Sequence, residues 1–206
     1  MPAPLGLRPS RTALTQQGEF YAEAFFHDRP RPGTAAGGGL GKAEAKKPNF
    51  ISHYGASGVN GVIDTNGDGL TASVFTGIQN TTLGRYVFQF ESEPLPPLAT
   101  NVTCPAGTLE FPVLQGHVVS TKETTGEQLF MTMTSGTVCF DLTTLTLTFQ
   151  GQGTFDGGTG RFVNATGPFE DNGTGAVLVS DPQGHFLANS TGTITGTLTG
   201  VGDDGD

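Results

Sequence analysis

The sequence predicts an all-β fold: a single, roughly eight-stranded antiparallel barrel (about eight to nine short strands) preceded by an irregular extension. Three observations predict it. The first is composition. Glycine supplies 32 of 206 residues, about twice the usual ~7%, and charged residues are 14% against an ordinary ~25%. Helical surfaces need Glu, Lys, Arg and Ala, which are scarce after residue 50, whereas the abundant Thr suits strands. The second is period. From Ser57 onward apolar residues recur at alternate positions, so one set faces inward and the other outward. The third is punctuation by turn-forming residues at hairpin spacing, which favours neighbouring antiparallel strands.

In chain order, residues 1–56 read as the extension. Pro2, Pro4, Pro9, Pro30, Pro32 and Pro48 interrupt it, and Ala35–Gly39 is a flexible run. Phe20, Tyr21, Phe25 and Phe26 have the spacing of a short amphipathic helix or a docking strand. The barrel is predicted over 57–200. A first strand closes at Ile63, and Ala72 to Gln79 is a second. In the third, Tyr86, Phe88 and Phe90 share one face, with Arg85, Val87 and Gln89 on the other. Thr108 to Ser120 is a fourth. Leu129, Met131 and Met133 alternate with Phe130, Thr132 and Thr134 in a fifth, and Leu145, Leu147 and Phe149 alternate with threonines in a sixth. Phe162 to Phe169, Gly175 to Ser180 and Phe186 to Leu198 follow. Asn66–Gly69, Asp156–Gly160, Asp171–Gly173 and Asp181–Gly184 read as turns, and residues 201–206 as an acidic tail.

Charge is unevenly spread. Seven of the ten basic residues lie in 1–47, whereas 48–206 hold only Arg85, Lys122 and Arg161 against fifteen acids. A body this acidic repels phosphate backbones, which argues against nucleic acid as a partner. The basic extension reads as solvated linker, or as a contact for an anionic surface. No stretch of ~20 apolar residues is present, so no transmembrane helix is expected, and the first residues show no secretory signal. Cys104 and Cys139 lack metal-ligand spacing; they read either as a bridge between neighbouring strands in an oxidising compartment or as buried thiols.

The segment Gly157-Gly158-Thr159-Gly160-Arg161-Phe162-Val163-Asn164-Ala165-Thr166-Gly167 resembles a glycine-rich hairpin of the allene oxide cyclase and dirigent barrel group, closest to its uncharacterised bacterial members. Leu83-Gly84-Arg85-Tyr86, the Asn66–Gly69 turn and the two cysteines add to the resemblance, which spans roughly residues 57–200. It implies an eight-stranded antiparallel barrel with an apolar lumen. It also implies catalysis by positioning, in which a reactive, largely apolar molecule is held in one conformation. No catalytic residue of the plant members can be matched to a position here, so the chemistry is not carried over.

Candidate sites follow from the residues. Asp64, Asn66 and Asp68, with the Leu70 carbonyl, supply oxygen ligands at the spacing of the first half of a calcium loop, followed by Phe75 where a bidentate Glu would be needed. The alternative is a tight turn capped by its own Asp and Asn side chains. Tyr86, Phe88 and Phe90, with Met131 and Met133, either line a ligand pocket or fill the core. Arg85 and Arg161 either form barrel-end ion pairs or orient a polar group of a ligand. No nucleophile elbow or Ser/His/Asp set argues for hydrolysis. Two functions are expected from this reading. One is an exported barrel, extracellular or periplasmic, that binds a small apolar molecule and steers its isomerisation or cyclisation. The other is an extracellular structural or adhesive protein, calcium-stabilised and self-associating into a homo-oligomer through its N-terminal segment. A cytoplasmic cyclase is a third, weaker expectation.

Overall fold

The computed structural model describes residues 49–64, 71–182 and 185–202, and its eight strands close into one antiparallel barrel. In chain order they are β1 (Phe50–Ile63), β2 (Ala72–Thr81), β3 (Gly84–Pro94), β4 (Leu109–Lys122), β5 (Gln128–Asp141), β6 (Thr146–Gly158), β7 (Thr166–Ser180) and β8 (Phe186–Gly196). A single 3-10 turn, Gly160–Phe162, lies between β6 and β7. Each strand pairs with its sequence neighbours, and β1 pairs with β8 from Phe50↔Gly196 to Asn60↔Phe186. That seam satisfies the two edges an open sheet would leave exposed.

The first strand begins at Phe50, seven positions before the expected Ser57, because Phe50, Ser52 and Tyr54 already alternate inward against β8. Most of the expected extension, residues 1–48, lies outside the described residues, as does 203–206 of the acidic tail. Two expected turns are strand instead. Asp171-Asn172-Gly173 runs through the middle of β7, paired to Gly151, Gln150 and Phe149 on one side and to Ile194, Thr193 and Gly192 on the other. The two strands predicted on either side of it are therefore one, apart from residues 162–165, which belong to the 3-10 turn and the reversal after it. Gly173 serves close packing there. A β-carbon on it would stand 2.3 Å from the Phe149 ring, so the glycine lets that ring lie across the sheet. Likewise, Asp156 to Gly158 end β6, and the chain reverses at 159–165.

Pure alternation fails once in β5. Leu129, Met131 and Met133 are buried, and continued parity would place Cys139 inside. The register with β6 shifts between Met133 and Ser135. Such a bulge exchanges the two faces. Val138 then packs on the core and Cys139 forms a disulfide with Cys104 of the 95–108 connection, with Cα atoms 5.5 Å apart.

The barrel is filled at one end. Phe50, Tyr86, Leu129, Met131, Phe155 and Phe162 are each at most 1% exposed. Phe50 meets Phe155 edge-on at 5.1 Å and Phe155 meets Phe169 at 5.6 Å. Burying side chains of this size contributes ~1.5–3 kcal/mol each. The same end carries the start of β1 and the end of β8. There the Asn49 side chain donates to the Leu198 carbonyl and accepts from the Leu198 N–H, both at 2.7 Å.

Candidate ligand cavity

Above this packed floor the lumen is hollow. A cavity of about 360 Å³ occupies the half of the barrel nearer the end of β1, the start of β2 and the 95–108 and 142–145 connections. That lies in the ~300–1,000 Å³ range of small-molecule sites. Its walls are mainly apolar and aromatic: Phe75, Phe88, Phe90, Phe111, Val118, Met133, Phe140 and Phe149 come from five successive strands. Leu95 and Pro96 of the 95–108 connection contribute to the lining near the mouth. That connection is held twice, by the disulfide and by Glu110, whose carboxylate accepts from the N–H groups of Val102, Thr103 and Cys104 at 2.7, 2.9 and 3.0 Å. These hydrogen bonds, those from Cys104 and Thr103 foremost, hold the Glu110 carboxyl below the usual carboxylate range.

Ser73, Ser92 and Ser190 are buried polar residues of the wall, and two larger polar groups lie with them at depth. Asp171 projects inward from β7 with the parity of Phe169. The Tyr54 hydroxyl, from β1, donates to both of its oxygens at 3.0 and 3.2 Å. Burial pushes the Asp171 carboxyl up to about 6, only partly opposed by the hydrogen bonds from Tyr54 and the Asn172 N–H. Burial first, then the Asp171 charge and hydrogen bond, push the Tyr54 phenol well above its ordinary value. Tyr54 meets Phe88 edge-on at 5.4 Å. It also lies against Gly192, where a β-carbon would stand 2.4 Å from its hydroxyl oxygen. The second group is Gln79 of β2, 1% exposed, whose Oε1 accepts from Ser120 of β4 at 2.9 Å.

The structure divides the expected site residues. Phe88, Phe90 and Met133 line the cavity. Tyr86 and Met131 share their inward face but sit in the packed floor. Arg85 points outward and pairs with Glu123 at 3.3 Å, its side chain about half exposed, as its parity opposite Tyr86 requires. Arg161 is buried beneath the floor. Its backbone N–H donates to Glu127 Oε1 at 3.0 Å, its Nε lies 3.8 Å from Glu127 Oε2, and its guanidinium donates to the Leu83 carbonyl over the Phe162 ring. Both arginines thus take part in ion pairs at the closed end, and neither lines the cavity. The glycine-rich segment and Leu83–Tyr86 also meet there. Of the proposed calcium ligands, Asp64 is exposed at the end of β1, while Asn66, Asp68 and Leu70 lie outside the described residues. Among the described residues no three His, Cys, Asp or Glu side chains are grouped to hold a metal, and no helix is long and apolar enough to cross a membrane.

Asp171, Tyr54 and Gln79 are the residues that sequence reasoning passed over. The signal for Asp171 was its shared parity with Phe169, obscured by the turn-like Asp-Asn-Gly string. In comparisons with known proteins, no family model, no curated protein and no solved structure matches the chain.

Proposed function

We propose that this barrel is an exported protein that binds one small, largely apolar molecule in its half-hollow lumen. The observation that carries the reading is the asymmetry of the interior: the same inward faces that pack solidly at one end leave about 360 Å³ of mainly apolar space at the other. A lumen meant only for stability would be filled to interior density along its length. Export is supported by the Cys104–Cys139 disulfide, which persists in oxidising compartments. The resemblance to the allene oxide cyclase and dirigent group supports an apolar guest and a role in steering its isomerisation or cyclisation. Asp171 gives that role a chemical means. A carboxyl poised near neutrality inside an apolar chamber can hold or release a proton at a bound molecule.

The test is titration with N-phenylnaphthylamine, a neutral dye that fluoresces in apolar surroundings. The wild-type protein is expected to bind it saturably. Ala56→Phe, which fills the cavity from β1, should weaken binding about tenfold or more while leaving the melting temperature within a few degrees. Equal dye binding by both proteins would place the dye elsewhere and remove the support for a lumen site.

A further inference from the structure

Gln79 has a donor without an acceptor. Its Oε1 accepts from the Ser120 hydroxyl at 2.9 Å. The Nε2 group is buried and makes no hydrogen bond to any described residue. Leaving a buried amide N–H unpaired costs the full desolvation of that group, so such groups are rare where nothing binds them. Gln79 lines the cavity, on the inward face of β2. Among the described residues lining the cavity there is no Lys, Arg or His, and Asp171 is the sole carboxyl. An anionic guest would bring a second negative charge into an apolar chamber without a counter-ion.

We propose that Gln79 Nε2 is the recognition point of the cavity, donating to an oxygen of a neutral, otherwise apolar ligand of the ketone, ester, ether or epoxide class, and that carboxylates are rejected. The proposal rests on the lumen-binding reading and adds the chemistry of the guest. The Ser120 hydroxyl is a positioning group: it holds Oε1 and so presents Nε2. Asp171, hydrogen-bonded to the Tyr54 that pairs with Gln79 across β1 and β2, supplies the discrimination by charge.

The experiment is competition against bound N-phenylnaphthylamine by three small aromatics of matched size: acetophenone, which offers an acceptor; isopropylbenzene, which offers none; and benzoate at pH 8. In the wild-type protein acetophenone and isopropylbenzene displace the dye, and benzoate does not. In Gln79→Met, which keeps volume and removes the donor, the acetophenone affinity relative to isopropylbenzene falls about three- to tenfold, the worth of one net hydrogen bond. A second readout needs no variant: acetophenone, but not isopropylbenzene, shifts the Gln79 side-chain amide resonances of the isotope-labelled wild-type protein. An unchanged ratio in Gln79→Met, unmoved amide resonances, or displacement by benzoate as strong as by acetophenone overturns this inference while leaving lumen binding intact. Failure of the dye and of both neutral aromatics to bind overturns the lumen reading and this inference with it.

Discussion

Asp171 shows how much one buried side chain governs. Its carboxyl sits at about 6 in the folded protein against an ordinary 3.8, so the folded state holds the proton more tightly than the unfolded chain. Stability from this group is therefore greatest below the unfolded value and is lost as pH rises through the window between about 4 and 6. The gap corresponds to roughly 3 kcal/mol. Asp171→Asn keeps an acceptor for the Tyr54 hydroxyl and removes the charge. The variant should thus be more stable than wild type at pH 8, by on the order of 1–3 kcal/mol, and equal to it near pH 4, as measured by urea unfolding at both pH values. A variant less stable at pH 8 would show that the ionised carboxylate is better solvated than its burial implies. Residue-level legibility followed parity. Tyr86, Phe88, Phe90, Met131 and Met133 were readable as one inward set because apolar residues announce their side of a strand. Gln79 and Tyr54 were not, since a polar residue on an inward face looks in sequence like the end of a strand or the start of a tail.

At the scale of elements, the 95–108 connection is the piece whose order matters most to the cavity. Leu95 and Pro96 line the mouth, and Cys104 ties the connection to β5 across 35 residues of sequence. Closing a loop of that length contributes about 3–4 kcal/mol in the chain-entropy view. Reduction, or the paired Cys104→Ser and Cys139→Ser substitutions, should lower stability by about that amount and weaken dye binding, both read in one titration with and without reductant. If stability falls while dye affinity is unchanged, the connection contributes to the barrel but not to the mouth. Glu110 acts on the same connection. Its carboxyl is held low by the N–H groups it accepts, so its contribution is complete above the ordinary glutamate range and is lost as pH falls through the lower folded value. Elements were legible where turn chemistry and alternation agreed, as in β3. They were misread where glycine beside Asp and Asn imitates a turn but makes room for an aromatic ring, as at Gly173 against Phe149. The bulge in β5 leaves no mark in composition, because it depends on register with β6.

For the molecule as a whole, the decisive property is a barrel solid at one end and hollow at the other. The two ends should answer differently to the same substitution. Phe155→Ala, in the packed floor, is expected to cost about 3–5 kcal/mol, since its neighbours cannot collapse into the space. Phe90→Ala, on the half-buried cavity wall, removes a ring that already borders empty volume and should cost clearly less. Chemical denaturation of the two variants checks this, and equal losses would mean that the upper lumen is as tightly packed as the floor. The sequence disclosed the barrel because closure and alternation are written in its period. It could not disclose the asymmetry, since whether eight inward faces meet or leave a gap depends on how rings from different strands interlock.

The β1–β8 seam has a temporal consequence. Its partners stand far apart in the chain, as with Asn49 and Leu198, 149 residues apart, while every other pairing joins consecutive strands. Hairpins between neighbours can assemble as the chain emerges, but the ring cannot shut until its last strand exists. Closing so long a loop places the seam among the latest and slowest contacts to form. Until then β1 presents a bare edge, open to any strand that arrives before β8.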